Sequence, residues 1–282
     1  MLYFCGIDPS QGGIRRNQGT PGQSNECDDF AVATWRIDDN FEYPAELVHM
    51  FRSNSLSSRQ MSAVVHKLDA AFNYALIMMD PSGGGYAMRD NLREPEQDTG
   101  AEKFQVVPII TNEDSQMSGI GRNKLCFFSR GSTRLKESGL IMASEGALPN
   151  KMHELFKIAL ESQPQMVRFP EPWTGWQNKN FVSSDAMRDH IIENKLQGRD
   201  KASAEIDLAL SQLTGIEKEL NKENKPVVDS QGFFSFKSYC RKDCAYAMLY
   251  GYFAIWLWKE ENAIRTRRAP RNTNFVFSLS TV

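Results

Sequence analysis

The sequence predicts an α/β protein: a mixed central β-sheet with helices packed on both faces. Three observations carry this. Short apolar runs recur through the N-terminal part of the 282-residue chain, as buried or half-buried strands do. Segments with apolar residues at helical spacing stand between and after them. Late in the chain, "KDCAYAMLYGYFAIWLWKEE" is apolar almost all round, so it is a helix that must be buried. A helix of that kind is covered by packing against a sheet within a layered domain.

The elements follow in order. "LYFCGID" is an apolar strand ending on Asp8, followed by a long loop rich in Gly and polar residues. "FAVATWRID" alternates apolar and polar residues as a second strand, and "FEYPAELVHMFRS" pairs with it as a third, with the turn near Asp39 and Asn40. In "SSRQMSAVVHKLDAAFN", Met61, Val64, Val65, Leu68 and Phe72 fall at helical spacing behind a Ser N-cap. "YALIMMD" is a short, wholly apolar fourth strand, buried on both faces. "FQVVPII" is a fifth, its Pro assigning it to an edge or an end. "NKMHELFKIALES", "SSDAMRDHIIENKL" and "SAEIDLALSQLTGIEKELNKE" read as helices, the last capped by Ser203. "FFSFKSYCRKD" is partly extended. With no internal repeat and no clear linker, residues 1–264 are expected to form one domain and 265–282 a basic C-terminal tail.

Composition bounds the function. The chain is 41% hydrophobic and 24% charged, with net charge -2 and mean hydropathy -0.47, ordinary for a water-soluble domain. No global basic field draws in nucleic acid, so any such partner must be held by local patches. No apolar run reaches the ~18 residues that span a bilayer, so no membrane partner is expected. The N-terminus lacks the pattern of a signal peptide. Five scattered cysteines fit a reducing cytoplasm better than a disulfide framework. Cys240 and Cys244 have no His or Cys pair nearby to complete a zinc site.

The chemistry gathers on three acids. Asp8 and Asp80 both end apolar strands and both open a Pro-Ser-Gly run, "GIDPSQGG" beside "MMDPSGGG". The carboxyl ends of neighbouring strands open on a common crevice. Two carboxylates there repel, and neither strand carries a Lys or Arg to pair with them. A divalent cation is the natural neutraliser, and an all-carboxylate donor set suits Mg²⁺ or Mn²⁺. Asp243 begins the most apolar helix, which pins it near the core. Each acid alone has an ordinary use as a turn opener or helix cap; the repeated pattern points to metal. Three carboxylates at fixed element ends can hold two metal ions about 3.5–4 Å apart, the arrangement that serves in-line attack on a phosphodiester. Gly83, Gly84 and Gly85 strip side chains from the loop after Asp80, leaving room for a tight turn or a phosphate.

This order of parts resembles the ribonuclease H-like superfamily, and within it the nuclease domain of the large terminase subunits that package viral DNA. The likeness covers most of residues 2–259. It rests on the first strand "CGIDPS", the strand, glycine turn and helix of "MMDPSGGGYAMRDNL", the segment "SQLTGIEKEL" and the helix start "RKDCAYAMLYGYFAIW". The resemblance implies that Asp8, Asp80 and Asp243 are the catalytic metal ligands for two Mg or Mn ions. It implies cleavage of concatemeric double-stranded DNA, with the terminase ATPase domain, the small terminase subunit and the portal as partners in the host cytoplasm. The sequence departs from the pattern in having no "GxxxxGK[ST]" phosphate loop, so the ATPase half is not expected here. No second acid adjoins Asp243; Asp28 and Asp29 are candidates to assist through water.

DNA phosphates need basic residues. Lys242, Lys237, Arg241, Arg15 and Arg16 lie in segments expected to rim the acids, with Lys242 the first choice. Arg122, Lys124, Arg130, Arg134 and Lys136 fall in a Gly-punctuated stretch read as an extra hairpin. Trp173, Trp176, Phe233, Phe234 and Phe236 are expected in the core rather than on bases. The four histidines are isolated and form no hydrolase triad. Rival readings are a Holliday-junction resolvase with the same acid layout, a non-catalytic docking module of the packaging motor, and an actin-like ATPase.

Overall fold

A computed structural model describes residues 1–9, 29–40, 44–80, 84–111, 122–127, 148–171, 190–227, 236–238 and 242–268. Three strands open the fold as an antiparallel meander: β1 (Leu2–Asp8), β2 (Phe30–Ile37) and β3 (Ala45–Ser53). Helix α1 (Ser58–Phe72) crosses over to β4 (Leu76–Met79), which pairs parallel to β1. Then come α2 (Gly85–Leu92), the small hairpin of β5 (Glu96–Asp98) and β6 (Lys103–Gln105), and β7 (Ile109–Thr111) with β8 (Arg122–Phe127). The remainder comprises α3 (Leu148–Glu161), β9 (Val167–Arg168), α4 (Gly198–Thr214), the hairpin of β10 (Ile216–Lys218) and β11 (Phe236–Ser238), and α5 (Asp243–Arg268).

The main sheet has seven strands in the order β7-β8-β4-β1-β2-β3-β9. Only β2 runs against the others. This mixed sheet with helices on both faces is the ribonuclease H-like α/β architecture expected from the sequence.

Side-chain alternation divides the core in two. On one face Phe4, Ala31, Ala33, Trp35 and Met78 pack against α3, α4 and α5. On the other, Cys5, Ile7, Phe30, Val32, Ile77 and Met79 pack against Met61 and Val65 of α1 and Met88 and Leu92 of α2. Helix α5 lies close on β1 because small residues meet there. A Cβ on Gly6 would stand 2.0 Å from the Ala247 carbonyl and 2.1 Å from the Gly251 nitrogen. Trp35 anchors the contact by donating its Nε1–H to the Met248 carbonyl at 3.0 Å.

Ser57 caps α1 as expected, in a capping box with Gln60. Other expectations need correction. The run "FQVVPII" is divided at Pro108: Lys103–Gln105 joins the small hairpin and only Ile109–Thr111 reaches the main sheet, at its edge. Arg122 and Lys124 belong to no extra hairpin; β8 is a parallel strand between β4 and β7. Helix α4 begins at Gly198 behind Gln197, not at Ser203, and ends at Gly215, where its expected continuation becomes β10. Helix α5 continues through residue 264 to Arg268. Residues 183–189, the first half of the expected helix "SSDAMRDHIIENKL", lie outside the described residues, while 190–193 are helical; Gly83, Arg130, Arg134, Lys136, Trp173, Trp176, Phe233 and Phe234 also lie outside them.

Candidate active site

Strand parity decides where the acids point. Asp8 shares parity with Phe4 and Gly6, and Asp80 with Met78, all on the α5 side of the sheet. Asp8 is the last residue of β1, and Ile7 lies opposite Met79 of β4. The ladder continues one step further, with the Asp80 N–H donating to the Ile7 carbonyl at 3.3 Å. The two acids therefore stand at the ends of adjacent parallel strands, about 4.8 Å apart in the sheet.

Helix α5 covers them with two tyrosines one turn apart. Tyr250 donates its hydroxyl to Asp80 Oδ2 at 2.8 Å. Burial, then the charges of Asp80 and Asp8, push that hydroxyl well above its usual range. Tyr246 feels the same two acids: burial first, then Asp8 and Asp80, raise it to about 12. Both phenols stay protonated at neutral pH, so they serve the carboxylates as neutral neighbours and do not compensate their charge.

Asp243 is the first residue of α5, where the helix dipole favours an anion. Its Oδ2 accepts the main-chain N–H of Asp29 at 3.0 Å. The Asp29 carboxylate turns elsewhere, to Arg52, so Asp29 meets the site through its backbone and its own carboxylate is held in an ion pair. The glycine turn also has its structural reason. Gly84 sits at φ 106 and caps α2, and a Cβ on Gly85 would stand 2.0 Å from the Asp80 carbonyl oxygen and 3.4 Å from Pro9 Cγ. Only glycine at residue 85 lets α2 start against Asp80.

The three acids thus occupy one end of the sheet on three elements. Asp8 and Asp80 share a face under the same tyrosines, and Asp243 opens the helix that carries those tyrosines. Among the described residues, no three His, Cys, Asp or Glu side chains stand close enough as placed to hold one ion. In kind the donors fit a hard divalent cation, being carboxylate oxygens throughout. Lys242 is exposed beside them, its Nζ 4.9 Å from the centre of the Tyr246 ring. Lys237 lies on β11 opposite Glu217 of β10. Arg15, Arg16, Arg241 and Asp28 lie outside the described residues.

Tyr246, Tyr250 and Gln212 are site neighbours that sequence reasoning missed. The tyrosines follow Asp243 by three and seven residues, which sets them on its helix face, so that signal was present. Of the histidines, His66 is buried with Nε2 at 3.2 Å from the Leu92 carbonyl, joining α1 to α2. Cys244 is buried, and burial first, then the charge of Glu205, push its thiol far up; it is packing, not chemistry.

No family model matches the sequence, and the comparison with curated proteins finds no match. Among solved structures, the chain is similar to the large terminase nuclease from thermophilic phage G20c, at 12% identity and TM-score 0.41, covering 89% of this chain and 81% of that one. It is also similar to the nuclease domain of the large terminase g2p of bacteriophage SPP1, solved with bound Mn, at 11% identity and TM-score 0.37, over 90% and 86% of the two chains. No described helix is long and apolar enough to cross a membrane.

Proposed function

We propose that this chain is the nuclease domain of a viral DNA-packaging terminase, a metal-dependent endonuclease that cuts concatemeric double-stranded DNA in the host cytoplasm. The observation that carries the reading is the juxtaposition of Asp8 and Asp80. They end paired parallel strands and face the same helix, whose first residue is Asp243. Gathering carboxylates at one edge is costly unless a cation joins them. Asp8, Asp80 and Asp243 would hold two Mg²⁺ or Mn²⁺ ions, which when bound supply activation of the attacking water and stabilisation of the leaving oxygen.

The remaining roles belong to the chain itself. Tyr250 orients the Asp80 carboxylate by its hydrogen bond. Lys242, exposed at the start of α5, offers a charge to a backbone phosphate next to the acids. Lys237, Arg241, Arg15 and Arg16 are proposed to extend that contact along the duplex. The ATPase domain, the small subunit and the portal are the proposed partners in the motor.

The test is plasmid cleavage by the purified chain. Nicking and linearisation are expected with Mn²⁺ and none with EDTA. Asp80→Asn should fold with an unchanged circular dichroism spectrum and lose at least about 10²-fold in rate, the scale of removing a group that acts on the reacting charge. Cleavage by Asp80→Asn at the wild-type rate would overturn the reading. A strong preference for four-way junctions over linear duplex would instead favour a junction resolvase.

A further inference from the structure

Beneath the three acids runs a line of buried polar contacts that phosphodiester cleavage does not itself use. Asp29 donates its main-chain N–H to Asp243 Oδ2 at 3.0 Å. The Asp29 Oδ2 pairs with Arg52 Nη1 at 3.1 Å, and Arg52 Nε donates to Glu205 Oε2 at 2.9 Å. The side chains of Arg52, Asp29 and Glu205 are 5%, 1% and 1% exposed. Burial would lower the Arg52 pKa, but the charges of Glu205 and Asp29 outweigh it and hold the guanidinium charged. Glu205 Oε1 is buried with no hydrogen-bond partner.

Such a cluster is a poor source of stability, since apolar residues of the same volume commonly do as well. Its geometry is informative instead. Arg52 on β3 uses two edges of one rigid fork to join the start of β2 to α4, which the single ammonium of a lysine cannot do. Helix α4 then reaches α5 a second time. Gln212 lies two turns beyond Glu205 on the same face, and its Oε1 accepts the N–H groups of Cys244 at 2.9 Å and Ala245 at 3.2 Å. Asp243 is thereby held from two sides: through its carboxylate by the Arg52–Asp29 line, and through the following helix turn by Gln212.

We propose that Arg52, Glu205 and Gln212 are positioning residues that set where the Asp243 carboxylate stands, and through it the affinity of the acid cluster for a divalent cation. This rests on the metal-site reading above. Residues that orient metal ligands from behind typically change metal affinity by about 10–100-fold when altered.

The test titrates Mn²⁺ alone against the 282-residue chain without DNA, following free Mn²⁺ by electron paramagnetic resonance. Melting temperature and hydrogen exchange at the Asp29 amide are measured on the same samples. Arg52→Lys is expected to weaken Mn²⁺ binding about tenfold and to speed exchange at Asp29 by a similar factor. Gln212→Met should weaken binding without touching the ion pairs, and it carries the test if Arg52→Lys does not fold. Phe156→Leu, a core change away from the acids, should lower the melting temperature and leave Mn²⁺ affinity alone. Wild-type affinity in both Arg52→Lys and Gln212→Met would overturn the proposal, as would an equal loss of affinity in Phe156→Leu. If the wild-type chain binds no Mn²⁺, it is the metal-site reading that fails, and Asp29 exchange then decides the positioning role: faster in Arg52→Lys supports it, unchanged overturns it.

Discussion

The buried hydroxyl of Tyr250 and the half-buried carboxylate of Asp80 meet at 2.8 Å. A hydrogen bond to a charged group is worth about 1.5–3 kcal/mol. Tyr250→Phe keeps the ring, so packing against Tyr246 survives while the donor is lost. Its melting temperature is expected to fall by a few degrees and its cleavage rate by about tenfold, because Asp80 then samples rotamers that no longer face Asp8. A plasmid-cleavage time course beside a thermal melt reads both effects. A rate equal to wild type would show that the tyrosine covers the acid without orienting it.

At the scale of elements, the contact between α5 and β1 decides whether the acids meet at all. It depends on Gly6 and Gly251, whose absent side chains let the helix approach the sheet until backbone touches backbone. A methyl on Gly6 cannot be accommodated by a side-chain rotation, since the atoms it meets at 2.0 and 2.1 Å are main chain. Overpacking of this kind costs about 1–3 kcal/mol or more. Gly6→Ala should therefore lose both stability and cleavage, as α5 lifts and takes Asp243, Tyr246 and Tyr250 with it. Ser57→Ala is the matching control: it removes the α1 cap on the opposite face, costing about 1 kcal/mol, and should leave the cleavage rate unchanged. Urea unfolding of the two variants, with activity measured on each, separates a change in the site from a change in stability alone.

For the whole molecule, the proposed metal site predicts that folding is sensitive to divalent ions, since three carboxylates are drawn to one end of the sheet. A ligand that binds only the folded state stabilises it by about 2.7 kcal/mol at a hundred times its dissociation constant. For a domain of this size a kilocalorie shifts the melting temperature by roughly 2–4 °C. Saturating Mn²⁺ should raise the melting point by about 5–10 °C on those figures, and EDTA should reverse it. Asp8→Asn should abolish most of the rise while leaving the metal-free melting point equal or higher, since it removes one member of a repelling pair. A metal-independent melting temperature in the wild type would contradict the metal site.

By itself the amino-acid sequence determined that β1, β2, β3 and β4 are strands, that the helix after Asp243 is buried, and that Asp8, Asp80 and Asp243 stand at element ends. Those properties reside in local hydrophobic period and in turn residues; that Asp8 and Asp80 share a face follows only from the pairing of Ile7 with Met79 and the packing of Phe4 and Met78. Tertiary structure alone decided the rest. Strand β8 inserts between β4 and β7, which no local pattern in residues 122–127 announces. Helix α4 starts at Gly198 and is capped at Gly215, where the chain turns into β10 although helical spacing runs on beyond it. The contacts that hold Asp243 join residues 214 and 153 apart in the chain, Asp29 to Asp243 and Arg52 to Glu205. Periodicity records only which side of its own element a residue occupies. Which distant residue it meets depends on how sheet and helices close around one another, and that is settled by packing the whole chain at once.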